Sequence, residues 1–281
     1  GEHVDGTWGT IAATVSACTL LKATPQQTTG AVNAARCQMS RSLFAPVQAG
    51  SKSRLLYSGL AASRGMDLAI ASLANFHGPE SLIDLSVDYN QRLPHDLRLD
   101  LRNPLSIQQG YIKLLPGARH LHYCMEAALA WRREKGYDTG QHLDNNALPQ
   151  SIHIKTYAEA AKYCGLAKPH NRIQAQFSLQ YATCITLLTG ETSGKIFNDD
   201  NLSLLSVQQL LDQTELSSVD SQSGRWAEIT IVAENGDTSI TTAKNLKGDP
   251  DNPLSQDDRI NKAMMLLGEH LGAQKTDLLI K

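Results

Sequence analysis

A cluster of basic side chains near the middle of the sequence is the group best suited to chemistry. Residues 111–133 carry Lys113, Arg119, His120 and His122 within ten positions, interrupted by a Pro-Gly pair. A run typical of a helix follows at once, so these groups lie in a loop and at a helix N-terminus, where unpaired backbone N–H groups favour an anion. The stretch predicts a site for a carboxylate or a phosphate, whereas on local grounds alone a solvated basic turn is the commoner outcome.

The composition limits the kinds of protein to which this cluster can belong. The chain has 281 residues, a net charge of −2, 41% hydrophobic residues and 19% charged residues. These values predict a well-buried globular core and argue against a nucleic-acid partner or an anionic membrane surface. No apolar run approaches the roughly 20 residues needed to span a bilayer, and no signal peptide is visible.

Cysteine spacing and known motifs exclude several kinds of site. No two cysteines have C-x-x-C spacing, so neither a zinc site nor a disulfide framework is indicated, and a reducing compartment fits best. The sequence also lacks G-x-G-x-x-G after a strand, a Walker loop, G-x-S-x-G, H-E-x-x-H and an EF-hand loop. The remaining His, Lys, Arg and Tyr side chains are suited to proton abstraction beside a carboxylate.

Helical periodicity covers the first third of the chain. The predicted helices occupy residues 9–21, 24–43 and 53–76, the last of them ended by His77, Gly78 and Pro79. Their high content of Ala, Gly and Ser allows the helices to approach closely. We therefore expect a tightly packed helix bundle.

The sequence pattern changes after this predicted bundle. Residues 81–109 mix short apolar runs with proline, and we interpret them as a connection into a second unit. Asn235-Gly236 between two alternating runs within residues 226–243 is the strongest short-range hairpin signal. The other predicted elements are strands at 111–115 and 151–156 and helices at 120–135, 171–189 and 206–213, with Asn171 as an N-cap and Gly190 as the end of its helix.

The pattern returns to helix after Pro253, with Ser255 as a predicted N-cap. We expect this last helix to rejoin the first bundle, which leaves the α+β unit as an insertion. The predicted fold is mainly α with α+β: an all-helical domain built from both chain ends (residues 1–108 and 251–281) and an inserted α+β domain (residues 109–250).

Six landmarks in chain order resemble the MmgE/PrpD family, which includes 2-methylcitrate dehydratase, cis-aconitate decarboxylase and iminodisuccinate epimerase. The landmarks are Gly1-Glu-His3 with Gly9; LLYSGLAASRG ending at Gly65; Lys113 with Pro116 and His122 before Glu126; FSLQYA from Phe177; LTG ending at Gly190; and NPLS ending at Ser255, with Lys262. Together they span nearly the whole chain, although none is diagnostic alone.

The resemblance implies a helical domain with an inserted α+β lid domain, assembled as a homodimer. It also implies a lyase or isomerase that uses no cofactor or metal and acts on a small polycarboxylate in the cleft between the domains. We expect an intracellular location, either the cytoplasm or the mitochondrial matrix.

Functional residues of the family can be carried over by position. His3 falls at the Gly-x-His position and would line the cleft; the alternative is a terminal surface histidine. Lys113 matches the lysine that opens the lid and would pair with a substrate carboxylate, unless it is an exposed lysine. Tyr163 matches a tyrosine at the site of cis-aconitate decarboxylases, and an ordinary packed tyrosine is the alternative. The family's substrate-binding lysine falls on Arg54, unless Lys52 reaches in instead.

Another position departs from the family pattern. The histidine that decarboxylases place five residues after the lid lysine falls on Ala118, and His120 is the nearest replacement. The departure therefore favours dehydration over decarboxylation as the expected reaction. His122 is also carried by the family as a substrate-binding residue, although on a helix it could pair with Glu126 one turn later.

The resemblance further implies a helical region before the Gly-x-His segment that supplies a catalytic aspartate and histidine. The sequence begins at Gly1 without it, so we expect a fragment, a second chain that supplies those helices, or a protein that has lost catalysis.

The leading hypothesis is a dehydratase-type lyase that abstracts a proton alpha to a carboxylate. His3, His120 and Tyr163 would be catalytic, and Arg54, Lys52, Lys113 and His122 would bind substrate. The alternatives are an inactive binding or assembly subunit, and an epimerase, isomerase or cyclase of the same fold.

Overall fold

The computed structural model describes residues 4–39, 42–79, 106–220 and 224–280. The chain divides into two compact units, residues 1–100 and 101–281. Helices dominate and one small mixed sheet is present, so the predicted class, mainly α with α+β, is confirmed. The division into an inserted domain and a helical domain that residues 251–281 rejoin stays a prediction.

The described residues of the first unit form helices joined by short turns. The elements are α1 (Val4–Leu20), α2 (Pro25–Cys37), α3 (Ala45–Gln48), a 3₁₀ turn (Lys52–Leu56) and α4 (Tyr57–Leu73). Thr24 begins α2 with a capping box, because its hydroxyl accepts from the Gln27 N–H while its own N–H donates to Gln27 Oε1. The three predicted helices are confirmed, but the second ends at Cys37 and not at residue 43.

Small residues bring α1 and α4 into backbone contact. A Cβ added at Gly65 would lie 2.5 Å from the Cβ of Ala13 and 2.7 Å from the backbone nitrogen of Thr14. No larger side chain fits there without moving a helix. Cys18 and Ala69 are fully buried in the small core of this unit. The predicted close packing of the bundle is confirmed.

A four-stranded sheet forms one layer of the second unit. Its strands are β1 (Ser151–Tyr157), β2 (Thr214–Val219), β3 (Trp226–Val232) and β4 (Thr238–Lys244), in the order β2-β1-β3-β4. The strand β1 is parallel to β2 and antiparallel to β3, and β3 is antiparallel to β4. The hairpin between β3 and β4 turns at Asn235-Gly236 as predicted, with Gly236 at φ +85°.

Helices cover the sheet and extend beyond it. They are α5 (Leu121–Glu134), α6 (Ala158–Cys164), α7 (Arg172–Ala175), α8 (Leu179–Thr189), α9 (Asp199–Leu202), α10 (Leu205–Asp212), α11 (Gln256–Leu271) and α12 (Ala273–Ile280). Every residue of α8 is buried. Helix α5 packs between α8 and the β3–β4 hairpin, and the Thr241 hydroxyl donates to the Ala127 carbonyl at 2.9 Å. Ser255 caps α11 as predicted.

Two predictions for the second unit are wrong, and two of its elements were not predicted. Residues 111–115 form no strand; Ile112 donates one backbone hydrogen bond to the Gly248 carbonyl, and Pro116, without an N–H, follows. The predicted helix at 171–189 is two helices, α7 and α8. Ser178 separates them as the N-cap of α8, because its hydroxyl accepts from the Tyr181 N–H and donates to the Leu166 carbonyl. The strand β2 and the helix α6 were not predicted.

Most of the cysteines are buried as free thiols. All five cysteines carry free thiols, and burial raises the pKa of Cys124, Cys164 and Cys184 to about 12, so these three are unreactive at neutral pH. None of the helices in the described ranges combines the length and the apolar character that crossing a membrane requires.

The buried guanidinium of Arg132 ties α5 to the end of α8. Its Nη1 donates to the Leu187 carbonyl at 2.6 Å, and its Nη2 donates to the Asp138 carbonyl at 2.8 Å and to the Gln141 carbonyl at 2.5 Å. The Leu187 carbonyl lies at the C-terminal end of α8, where helix-end carbonyls and the helix dipole favour a cation, and the other two carbonyls lie in the loop after α5. Arg132 is therefore a structural residue.

Replacing Arg132 with methionine is expected to lower the free energy of unfolding by about 3 kcal/mol, because several buried carbonyls lose their donor. The measurement is urea denaturation followed by circular dichroism. The matched control is Arg133→Met at the next position, where the side chain is 62% exposed and pairs with Glu126; its effect should stay within about 0.5 kcal/mol. Equal effects of the two substitutions would contradict the structural role.

Candidate functional site

A turn between residues 111 and 120 sets the start of α5. Gly117 has φ +85°, and a Cβ there would lie 3.0 Å from both Leu121 and Phe197, so glycine suits the position. The next residue, Ala118, donates its N–H to the Gln176 carbonyl at 2.9 Å. The turn thereby fixes the two residues that follow, Arg119 and His120, immediately before the helix.

Arg119 is buried and held by partners of several kinds. Only 6% of it is exposed. Its Nη2 forms an ion pair with Asp249, and its Nη1 lies 3.2 Å from Nδ1 of His122. The guanidinium carbon also lies 4.8 Å from the ring centre of Tyr111 and 5.5 Å from that of Tyr123. These contacts give the start of α5 a fixed positive charge.

His122 is uncharged in this setting. It is 1% exposed, and since a guanidinium can only donate, its Nδ1 accepts from Arg119. Burial, followed by the charges of Arg119 and Lys113, lowers the pKa of His122 to about 3, while the carbonyls of Gly117 and Pro116 oppose the shift. His122 therefore orients Arg119 and supplies no positive charge.

A cavity of about 580 Å³ lies beside Arg119. It is lined by residues of the turn, α5, the loop after α8, the end of β4 with the loop after it, and α11: Leu114, Leu115, Arg119, His122, Glu126, Leu129, Thr192, Lys244, Asn245, Leu246, Lys247, Asn252, Asp258, Asn261, Lys262 and Met265. Four of these side chains are cations and two are carboxylates, so the lining is positive. We call this space the cationic cavity.

Two lysines of the cationic cavity, Lys244 and Lys262, form no ion pair with any carboxylate of the residues that the structure describes. Lys247 pairs with Asp258 at 2.8 Å, and Glu126 pairs with Arg133 at 2.9 Å and not with His122. Lys262 donates to the backbone carbonyl of Lys113, and burial lowers its pKa. Lys244 lies exposed at the end of β4.

A second group of polar side chains surrounds His120. Its Nδ1 lies 2.5 Å from the hydroxyl of Tyr157, and its ring stacks on that of Tyr163 with the centres 6.2 Å apart. Burial lowers the pKa of His120, opposed by Glu159 and aided by Arg225. We call His120, Tyr157 and Tyr163 the histidine–tyrosine cluster.

The protonation states in the histidine–tyrosine cluster suit proton transfer. Burial raises the pKa of Tyr157, so the phenol keeps its proton at neutral pH. The imidazole of His120 is neutral there. When Tyr157 donates to Nδ1, Nε2 carries a proton that can be given; when Nδ1 donates to the phenol oxygen, Nε2 is a free base.

The structure brings some of the predicted site residues together. His120 and Tyr163 are in contact, and Lys113, whose Nζ donates to the Gly117 carbonyl at 3.1 Å, lies near His122. The two groups are linked through Tyr123, whose ring lies under Arg119 and edge-on to Tyr157 with 6.4 Å between ring centres.

The other predicted site residues lie elsewhere. Lys52 and Arg54 belong to the 3₁₀ turn of the first unit, with Lys52 exposed and Arg54 partly buried. His3 lies outside the described residues.

Several polar residues of the two groups were not predicted from the sequence. Tyr157, at the end of β1, and Lys244, at the end of β4, become recognisable only when the strands are paired. Asp249 lies 130 residues from Arg119 in the chain. Arg119 lies in the basic stretch before α5 that the sequence marks, but it was not among the predicted site residues.

Comparisons with known proteins give the following matches. Residues 116–281 match the MmgE/PrpD C-terminal domain. The chain is similar to a cis-aconitate decarboxylase of Mus musculus, with 27% identity over 234 residues that cover 78% of this chain and 46% of that protein. It is also similar to a cis-aconitate decarboxylase of Homo sapiens, with 22% identity over 246 residues that cover 83% of this chain and 50% of that protein. The chain spans about half the length of these curated relatives.

The low pKa of His122 predicts a pH dependence of stability. Since its pKa is about 3 in the fold and 6.5 when unperturbed, the unfolded chain binds more protons between these values. The contribution is fully present above pH 6.5 and is lost as the pH falls, at up to about 1.4 kcal/mol per pH unit. His122→Asn keeps an acceptor for Arg119 and should flatten this part of the profile.

The measurement is the free energy of unfolding in urea at several pH values between about 7.5 and 4.5. His170→Asn, at an exposed histidine, should leave the slope unchanged. A His122→Asn protein that loses stability as steeply as the unsubstituted chain would show that His122 is not the group responsible.

Proposed function

The chain belongs to the MmgE/PrpD family, and from that membership we propose that it is a cofactor-independent lyase of the dehydratase type, acting on a small di- or tricarboxylate. The observation that carries the proposal is the contact of a neutral His120 with Tyr163 at the start of α5. A neutral imidazole beside a phenol is suited to take a proton from carbon and to return one to a leaving group.

The proposed reaction needs one base and one acid. The base removes the proton alpha to a carboxylate, and that carboxylate stabilises the electron pair left on carbon. The pair then forms a carbon–carbon double bond while the beta hydroxyl group leaves, protonated by the acid as water. His120 and Tyr163 are the proposed proton carriers on this chain, with His3 as a further candidate. Tyr157 orients His120 through Nδ1.

Positive charge would hold the carboxylates and favour proton loss beside them. Lys113, Arg54 and Lys52 are the proposed carboxylate-binding residues. His122 is proposed to contribute by orienting Arg119, since the imidazole is neutral and accepts from the guanidinium.

Decarboxylation is the second candidate, and the printed names of the two relatives favour it. Ala118 stands where decarboxylases were expected to carry a histidine. Ala118 packs against the core, whereas the ring of His120 stacks on Tyr163. His120 therefore meets the tyrosine in spite of the departure, which supports keeping loss of carbon dioxide beside loss of water. In that reaction the carbon–carbon bond breaks, carbon dioxide leaves, and an acid protonates the carbon.

The test is turnover of methylcitrate, citrate and cis-aconitate, with the products followed by proton NMR. Because the chain spans about half of its relatives, the assay is run with the chain alone and with the N-terminal region of a family member co-expressed. We expect elimination in at least one form. His120→Gln should lower kcat by about 100-fold or more, the usual contribution of a general acid or base.

His170→Gln, at an exposed histidine outside both groups, is the matched control and should keep full activity. A folded protein that turns over none of the three acids in either form would contradict the lyase. That result, with a partner polypeptide retained through purification, would support an inactive assembly subunit instead. Inversion at carbon without elimination would support an epimerase.

A further inference from the structure

Two lysines of the cationic cavity have no carboxylate partner within the described part of the chain. Both carboxylates of the cavity already have partners: Asp258 pairs with Lys247, and Glu126 pairs with Arg133. Asp249, just outside the lining, is paired with Arg119. Lys244 and Lys262 therefore add positive charge that no described carboxylate neutralises.

Lys262 shows most clearly that the cationic cavity would be stabilised by an anion. Its side chain is partly buried, it donates to the backbone carbonyl of Lys113, and burial lowers its pKa. Withdrawing an ammonium from water without an anionic partner costs free energy. An anion in the cavity would offset that cost and raise the pKa of Lys262 again.

The shape and remaining lining of the cavity suit a small organic anion. A volume of about 580 Å³ lies within the range of about 300–1,000 Å³ usual for small-molecule sites. Leu115, Leu129 and Met265 supply apolar surface for a carbon skeleton, and Asn245 and Asn261 supply amide donors. A mixture of cations, amides and aliphatic side chains matches a molecule with several carboxylates on a short carbon chain.

We infer that the cationic cavity is a binding site for a small polycarboxylate, with Lys244 and Lys262 contacting its carboxylates beside the fixed charge of Arg119. The choice of carboxylates over other anions rests on the proposed function. The cavity thus supplies specificity-determining residues, Lys244 and Lys262, beyond those carried over from the family.

The experiment is isothermal titration calorimetry of the full chain with tricarballylate. This saturated tricarboxylate has neither a hydroxyl group nor a double bond, so the proposed elimination cannot occur and binding is measured without turnover. We expect Lys262→Met and Lys244→Met each to weaken the Kd about tenfold, and the double variant about 100-fold, because each removes one charge contact to the ligand. The methionine keeps most of the lysine stem.

The matched control is Lys135→Met, which removes the same charge from an exposed position at the end of α5, outside the cavity lining. Its Kd should remain within about twofold of the unsubstituted protein. Inorganic phosphate is titrated in a separate arm and should bind at least tenfold more weakly than tricarballylate.

The inference is overturned by any of three results: no binding of tricarballylate, a Kd unchanged in both lysine variants, or phosphate binding at least as tight. Its failure is distinguishable from that of the proposed lyase. Binding that depends on Lys244 and Lys262 in a protein without turnover supports the cavity and removes the lyase. Turnover with binding insensitive to both lysines keeps the lyase and removes the cavity.

Discussion

The buried ion pair between Arg119 and Asp249 is the interaction on which the candidate site depends. It joins the start of α5 to the loop after β4, two parts of the chain 130 residues apart. A guanidinium taken out of water is stable only when a carboxylate and further acceptors surround it. Since Arg119 also donates to His122 and lies over the ring of Tyr123, its position orders both the cationic cavity and the contact with the histidine–tyrosine cluster.

Arg119 and His120 are consecutive residues at the start of α5, and their side chains lie in different surroundings. Arg119 lines the cationic cavity, whereas His120 turns to Tyr157 and Tyr163. A short turn before a helix allows this division because successive side chains there point in different directions. Burial is the main cause of the lowered pKa of both His120 and His122, so both imidazoles are neutral at neutral pH. The start of α5 thus carries a positive charge and a neutral imidazole at consecutive positions.

Local signals in the sequence predicted those parts of the fold whose causes are local. The Asn235-Gly236 hairpin and the Ser255 cap depend on neighbouring residues and are confirmed. Pairing between distant segments was not predictable in this way. The edge strand β2 is polar and has little of the apolar alternation that indicates a strand. Nothing in the sequence around Asp249 indicates that it pairs with Arg119. The apolar run at 111–115 favoured a strand, but its backbone meets Gly248 once and forms no ladder. The candidate site near α5 therefore combines residues of the basic stretch, which the sequence marks, with residues such as Asp249 that only the fold brings to it.

A double-mutant cycle on the Arg119–Asp249 pair tests whether this interaction organises the site. The free energy of unfolding is measured in urea for Arg119→Met, Asp249→Asn and the combined variant. We expect Asp249→Asn alone to cost about 3 kcal/mol, because it leaves a buried guanidinium without its carboxylate. The combined variant should be less destabilised than the sum of the single variants, with a coupling of about 2 kcal/mol. Additivity within about 0.5 kcal/mol would show that the pair does not hold the start of α5 in place.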